Sequence, residues 1–212
     1  MVEKSYFVPA GRCRTEFTER KSRFITTIAL VKTVEEAEAF IAEIKAEFPD
    51  ATHNCAAYRI RDPLVERFFD DGEPGGTAGM PMLDVLKKQE LFDVAVVVTR
   101  YFGGILLGAG GLVRAYSRGA ADGVAAAGTA MMEMGTQLKI ICAYSLYDRL
   151  QRMSELQRAE ILDTAFGADV TVEVMLRSAE VEPLTKALAD LSAGTATLTV
   201  TDERFHPFKT IC

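Results

Sequence analysis

DVAVVVTRYFGGILLGAGGLVRAYSRGAADGVAAAG, residues 93–128, decides the fold of this chain. Asp93 to Tyr101 is a run of β-branched residues of the kind found in strands buried on both faces. The glycine-rich stretch Gly103 to Gly111 follows directly, and the spacing predicts an Ala-rich helix from about Leu112 to Ala127, stopped at Gly128. Strand, glycine loop and helix therefore come in that order. The same loop is the longest uncharged apolar stretch, Phe102 to Val113, but it carries five glycines and falls well short of the ~20 apolar residues a membrane span needs.

Upstream, Arg12–Glu19 and Arg23–Val31 alternate like strands, with Glu19-Arg20-Lys21 as the hairpin turn between them. Thr33 with Glu36 three residues on makes a capping box, and Ala37, Phe40, Ile41, Ile44 and Phe48 recur at helical spacing before Pro49. Thr52–Arg61 and Glu66–Phe69 alternate again. They lead into DDGEPGGTAGMP, residues 70–81, which holds four glycines and two prolines in twelve residues. Pro81 suits the first turn of a helix reaching about Glu90.

Downstream the pattern becomes strand (Leu138–Ser145), helix (Tyr147–Gln157), two strands (Glu160–Phe166, Asp169–Arg177), helix (Val181–Leu191) and strand (Thr195–Thr201). That β-α-β-β-α-β order is ferredoxin-like. The expected organisation is thus α+β in two domains, 1–134 and 135–212, joined near 129–137. There TAMMEMGTQ reads as a linker whose three methionines suggest packing.

Composition bounds the function. A chain of 212 residues, 49% apolar and 25% charged, has ample material for a packed core, which excludes intrinsic disorder. The first twelve residues, MVEKSYFVPAGR, lack a signal-peptide core, and four scattered cysteines without a C-x-x-C pair fit reduced thiols; a cytoplasmic protein is expected. Net charge is −6, with 16 basic and 19 acidic residues through position 135 (−3) and 8 and 11 after it (−3). Contact with nucleic acid then requires a local basic patch rather than a global field.

Three segments can carry chemistry. The glycine loop is the first: free amides at a helix start form an anion site, and glycine lets a phosphate approach the backbone. Gly103, Gly104, Gly108, Gly110 and Gly111 supply that backbone, Arg100, Arg114 and Arg118 flank it, and Arg114 and Arg118 share a helix face at i and i+4. The G-K-[ST] ending of a P-loop is missing, and the alternative use of the glycines is tight turning and close packing with no ligand. Second, Asp70, Asp71 and Glu73 gather three carboxylates, suited to a hard cation, though without the alternating ligand spacing of a calcium loop, to a partner's arginines, or to internal pairing with Arg23 or Arg100. Third, His53 and Cys55 lie two apart on a strand and share a face. A hydrolase built there takes His53, Cys55 and Asp71 as acid, nucleophile and orienting group; the alternative is an inert buried thiol. Phe68, Phe69, Tyr101 and Phe102 are stacking surfaces or core. No metal set and no cofactor motif stands out.

KSRFI (21–25), ATHNCAAY (51–58), DDGEPGGTAGMPML (70–83) and RYFGGILLGAGGLVRAY (100–116) closely resemble the bacterial YigZ-type branch of the IMPACT family. The resemblance spans nearly the whole chain, with two departures in one loop, Gly75 at a variable place and Met80 where a basic or polar residue is common. It implies an amino-terminal α+β sandwich like domains of a small-subunit ribosomal protein and of the translocating elongation factor, with a smaller ferredoxin-type domain after it. It also implies translation control: eukaryotic members bind the activator of the amino-acid-starvation kinase. The bacterial branch has been suggested to bind nucleic acid or ribosomes. A prolidase label carried by some members finds no dinuclear metal set in a chain with two histidines.

The expected function is therefore a non-enzymatic binding or regulatory protein that docks on RNA, the ribosome or a translation-associated protein. Arg23, Asp70, Asp71, Glu73, Thr77, Arg100, Tyr101, Arg114, Arg118 and the loop glycines form its face, with a phosphate-handling or cysteine-dependent hydrolase at the same loops as the alternative.

Overall fold

The computed structural model describes residues 5–156 and 158–209. The chain divides into two compact units, one holding Tyr6–Met131 and the other Met132–Phe208.

The first unit is built on a five-stranded antiparallel sheet. Its strands are β2 (Cys13–Glu19), β3 (Ser22–Leu30), β4 (His53–Ile60), β5 (Val65–Phe69) and β6 (Val94–Tyr101), in the order β2-β3-β6-β4-β5. β6 is central and buried along almost its whole length because helices cover both faces. On one face lies α1 (Val34–Glu47), whose Ala37, Phe40, Ile41 and Ile44 meet Ala56, Tyr58, Ala95 and Val97. On the other lie α2 (Gly79–Lys88) and α3 (Ala109–Ala127), which enclose Phe24, Ile28, Cys55, Val96 and Val98. An antiparallel strand usually keeps a wet face; here the two helical layers remove it.

Thr33 caps α1 as the spacing predicts, its hydroxyl accepting the Glu36 N–H at 3.2 Å, while the Glu36 carboxylate takes the Lys32 N–H at 2.6 Å. Helix α3 begins three residues before the predicted start. Gly108, at φ +73°, ends the loop, and the first helical bond runs from Leu112 N–H to the Gly108 carbonyl at 2.9 Å, so Gly110 and Gly111 belong to the first turn.

β1 (Tyr6–Pro9) pairs with β7 (Thr129–Cys142). Residues 129–137, expected as a linker, are strand. Their side chains alternate, Ala130 and Met132 buried against less buried neighbours, and that period-two pattern belongs to a half-covered sheet. In the second unit α4 (Tyr144–Leu156), β8 (Glu160–Phe166), β9 (Val170–Arg177), α5 (Val181–Ser192) and β10 (Thr197–Lys209) complete the β-α-β-β-α-β order. β10 flanks β7, which pairs with β9 and then β8, the strand order of a ferredoxin-like sheet. β7 stops at Cys142, short of the predicted Ser145, because α4 already begins at Tyr144. β10 continues eight residues past the predicted Thr201, to Lys209.

Candidate functional site

Register brings the predicted residues together. Arg100 of β6 stands opposite Phe24 of β3 on one side and His53 of β4 on the other, so all three share the face covered by α2 and α3. The 70–78 loop leaves β5 beside this end of the sheet and packs against it.

Inside that loop each acid has a partner within the chain. Asp70 accepts three backbone N–H bonds, from Gly76 (2.7 Å), Ala78 (3.1 Å) and Gly79 (2.8 Å). It thereby closes the start of α2, whose N-cap residue Ala78 has no side-chain acceptor of its own. Asp71 receives Lys45 Nζ at 2.6 Å and the Asn54 N–H at 2.7 Å, and its carbonyl takes the His53 Nδ1–H at 2.9 Å. Burial opposes the Asp71 charge, but the Lys45 ammonium and the Asn54 amide outweigh it and hold the carboxyl below its ordinary range. Glu73 is buried; its Oε1 accepts from Arg100 at 2.5 Å and from the Tyr116 hydroxyl at 2.8 Å, with His53 Nε2 at 3.8 Å. Thr77 is also buried, donating its hydroxyl to the Pro74 carbonyl at 2.6 Å.

Arg100, expected on a docking face, is only 4% exposed. Its guanidinium carbon lies 5.5 Å from the Phe24 ring and 5.5 Å from the Phe102 ring, and the group also reaches Ser22 Oγ at 3.2 Å. Gly103, expected to admit a phosphate, admits the chain's own backbone instead: a Cβ there would lie 2.0 Å from the Lys21 carbonyl carbon and oxygen. Arg100, Asp70, Glu73, Thr77 and Gly103 are therefore spent on folding the two loops together. Arg23 lies on the surface, paired with Glu16 at 2.7 Å, and the half-buried Tyr101 donates its hydroxyl to Asp50 at 2.9 Å.

Cys55 is fully buried and donates its thiol to the Asp70 carbonyl at 3.0 Å. Burial pushes that thiol up to about 12; a hydrogen bond with Tyr116 opposes the rise, and the charges of Glu73, Asp71 and Asp70 add to it. The hydroxyl of Tyr116 is raised too, by burial first and by Cys55 and Glu73 next. A thiol in this state keeps its proton at neutral pH and is not a thiolate nucleophile. Iodoacetamide applied to the native protein at pH 8 is expected to label Cys13, which is partly exposed, and to spare Cys55. Mass-spectrometric mapping of the alkylated cysteines checks this, and rapid labelling of Cys55 would contradict it.

A second group faces solvent. Gly108 and Gly110 are exposed and Gly111 half-buried, and no side chain caps α3, so the amides of its first turn point outward. Gly104, at φ +81°, lies beside the exposed Ile105 and Leu106, and Phe102 is 45% exposed. Phe68 and Phe69 also stand open, at 39% and 41%. Arg114 has no carboxylate partner among the described residues. Arg118 meets Asp122 through Nε at 3.3 Å, its terminal nitrogens have no hydrogen-bond partner among the described residues, and its guanidinium carbon lies 4.3 Å over the Phe17 ring. Arg20 is the residue that the sequence did not mark as functional. It sits in the β2–β3 turn at φ +44° and comes to the same cavity wall as Arg114 and Arg118.

Residues 20–124 match the Impact N-terminal domain, and residues 140–195 match a domain of unknown function, DUF1949. An IMPACT family member of Haemophilus influenzae is 38% identical over 192 residues, covering 89% of this chain and 93% of that protein. This chain belongs to the IMPACT family. It is 36% identical over 203 residues to the IMPACT family member YigZ of Escherichia coli, covering 94% of this chain and all of that one. A solved crystal structure of a hypothetical protein, 35% identical, superposes with a TM-score of 0.60 over 95% of this chain and 99% of that chain. Among the described residues no helix is long and apolar enough to cross a membrane.

Proposed function

We propose that this IMPACT family protein is a non-enzymatic docking component linked to translation, which recognises RNA, a ribosome or a translation-associated protein. The recognising face is the solvent-facing group around the start of α3: the amides after Gly108, Arg114, Arg118 and the apolar tip at Ile105 and Leu106. The observation that carries this reading is a division of labour. The carboxylates of the 70–73 loop are all held by Lys45, Arg100 or backbone amides, whereas Arg114 has no carboxylate partner among the described residues. An exposed guanidinium with no internal counter-charge stays available to attract an anionic partner, against a chain whose net charge is −6. The family supplies the translation link, as its resemblance implies.

The hydrolase reading has less support. It asks Cys55 for a nucleophile, and burial and the surrounding carboxylates keep that sulfur protonated. Gradient sedimentation of the full chain with ribosomes at low salt tests the docking reading. The wild type is expected to travel with the ribosomal fractions and Arg114→Glu to remain near the top, since a reversed rim charge removes attraction and adds repulsion. A wild type that stays at the top under all salt conditions sinks it.

A further inference from the structure

We propose that the cavity between the β2–β3 turn and α3 is a phosphate-binding pocket. The proposal rests on the docking reading in taking the arginine face as the recognising one, and it names the chemistry recognised.

The cavity encloses about 220 Å³, below the ~300–1,000 Å³ of sites that take whole drug-sized ligands. It suits one compact group. Three arginines line it, Arg20 from the hairpin turn and Arg114 and Arg118 from successive turns of α3, together with the apolar Phe17 and Leu107. Glu19 also lines it and Asp122 holds one edge of Arg118, so the local sum is three positive against two negative charges, a net +1 on a chain of −6.

The geometry distinguishes phosphate from carboxylate. A planar carboxylate is satisfied by one guanidinium fork, whereas the tetrahedral oxygens of a phosphate accept from several directions. Here donors come from two separate elements. Arg20 is tied at one terminal nitrogen to the Leu106 carbonyl at 3.3 Å, and the Arg118 guanidinium carbon lies 4.3 Å over the Phe17 ring; both heads are thus positioned before a ligand arrives. Gly111, at the cavity wall, brings the open end of α3 beside them. The turn itself favours a side chain at a cost. Arg20 and Lys21 sit at φ +44° and +66°, where a two-residue hairpin usually carries Asn-Gly, so two residues with long cationic side chains occupy backbone positions that favour glycine.

The test uses the uniformly ¹⁵N-labelled full chain, titrated with sodium phosphate and, separately, with sodium acetate at matched ionic strength. Phosphate is expected to move the amide resonances of Gly111 and Ala115 and acetate to leave them in place. Arg114→Gln and Arg20→Gln should each weaken the phosphate response about ten-fold, and Arg12→Gln, which breaks a distant pair with Glu43, should not. A fluorescein-labelled single-stranded RNA then separates the sources by anisotropy. Binding weakened about ten-fold by the same two variants makes the nucleic-acid backbone the source. No RNA binding with the phosphate response intact makes it a small phosphorylated ligand; either result supports the pocket. Acetate acting as strongly as phosphate, no response to phosphate, or a response unchanged in the Arg→Gln variants would overturn it. Ribosomes that fail to bind while phosphate still does would remove the docking reading and leave the pocket standing.

Discussion

Glu73→Ala is expected to lower the stability of the amino-terminal unit by about 3–5 kcal/mol. The substitution strands Arg100, a guanidinium only 4% exposed, without its counter-charge, and it leaves the Tyr116 hydroxyl without its acceptor. Removing one member of a buried ion pair costs far more than the pair contributes net, because the remaining charge cannot be rehydrated in place. The companion variant separates that effect from simple loss of packing. Replacing both members, Glu73→Leu with Arg100→Met, removes the stranded charge and should recover at least half of the loss. Urea unfolding of the full chain, with hydrogen exchange reporting each unit separately, measures both variants. A Glu73→Ala protein within about 1 kcal/mol of wild type would mean that this pair does not anchor the 70–78 loop.

Gly103→Ala is expected to cost more than about 4 kcal/mol, a size reserved for a few structural causes. The added methyl would lie 2.0 Å from the Lys21 carbonyl carbon and oxygen and 2.5 Å from the Ser22 nitrogen. All three are backbone atoms, so no side chain can swing away. Either the 102–107 loop lifts off the β2–β3 turn, breaking the Gly103 N–H bond to Ser22 Oγ, or the turn deforms. Gly104→Ala is the control for glycine as such. It sits at φ +81° with open space where a Cβ would go, so only the left-handed backbone penalty of about 1–2 kcal/mol applies. Thermal unfolding of both variants checks the ranking, and equal losses would show that backbone conformation, not the close crossing, makes glycine necessary at 103.

Both variants bear on how the docking face is held. The loop that displays Ile105 and Leu106 hangs on Gly103, and Arg100 beneath it locks the acidic loop; neither residue needs to touch a partner to be indispensable. Damage at either would look like lost binding in a sedimentation assay. Arg114→Glu and Arg20→Gln, on the exposed rim, are the variants that report binding without unfolding.

Local signals were legible where the physics is local. The Thr33 cap, the 3.6-residue stripe of α1, the two-sided burial of β6 and the β-α-β-β-α-β order all follow from side chains a few positions apart, and the motif segments identify the family. The linker reading of 129–137 failed because Ala130 and Met132 alternate with less buried neighbours only once a sheet exists to cover one side. The roles of the site residues were not legible. Glu73 and Arg100 are 27 positions apart, His53 and Arg100 meet by strand register, and Gly103 meets Lys21 across a turn. Spacing left Glu73 and Arg100 open between a docking face and an internal pair, and only chain closure could show which charges neutralise each other inside and which remain outside. Sequence alone thus determined the elements and the family, since propensity and periodicity act over neighbours. Tertiary structure decided that Arg100 is scaffold while Arg20, Arg114 and Arg118 converge, because pairing and burial are set by which distant segments come to lie side by side.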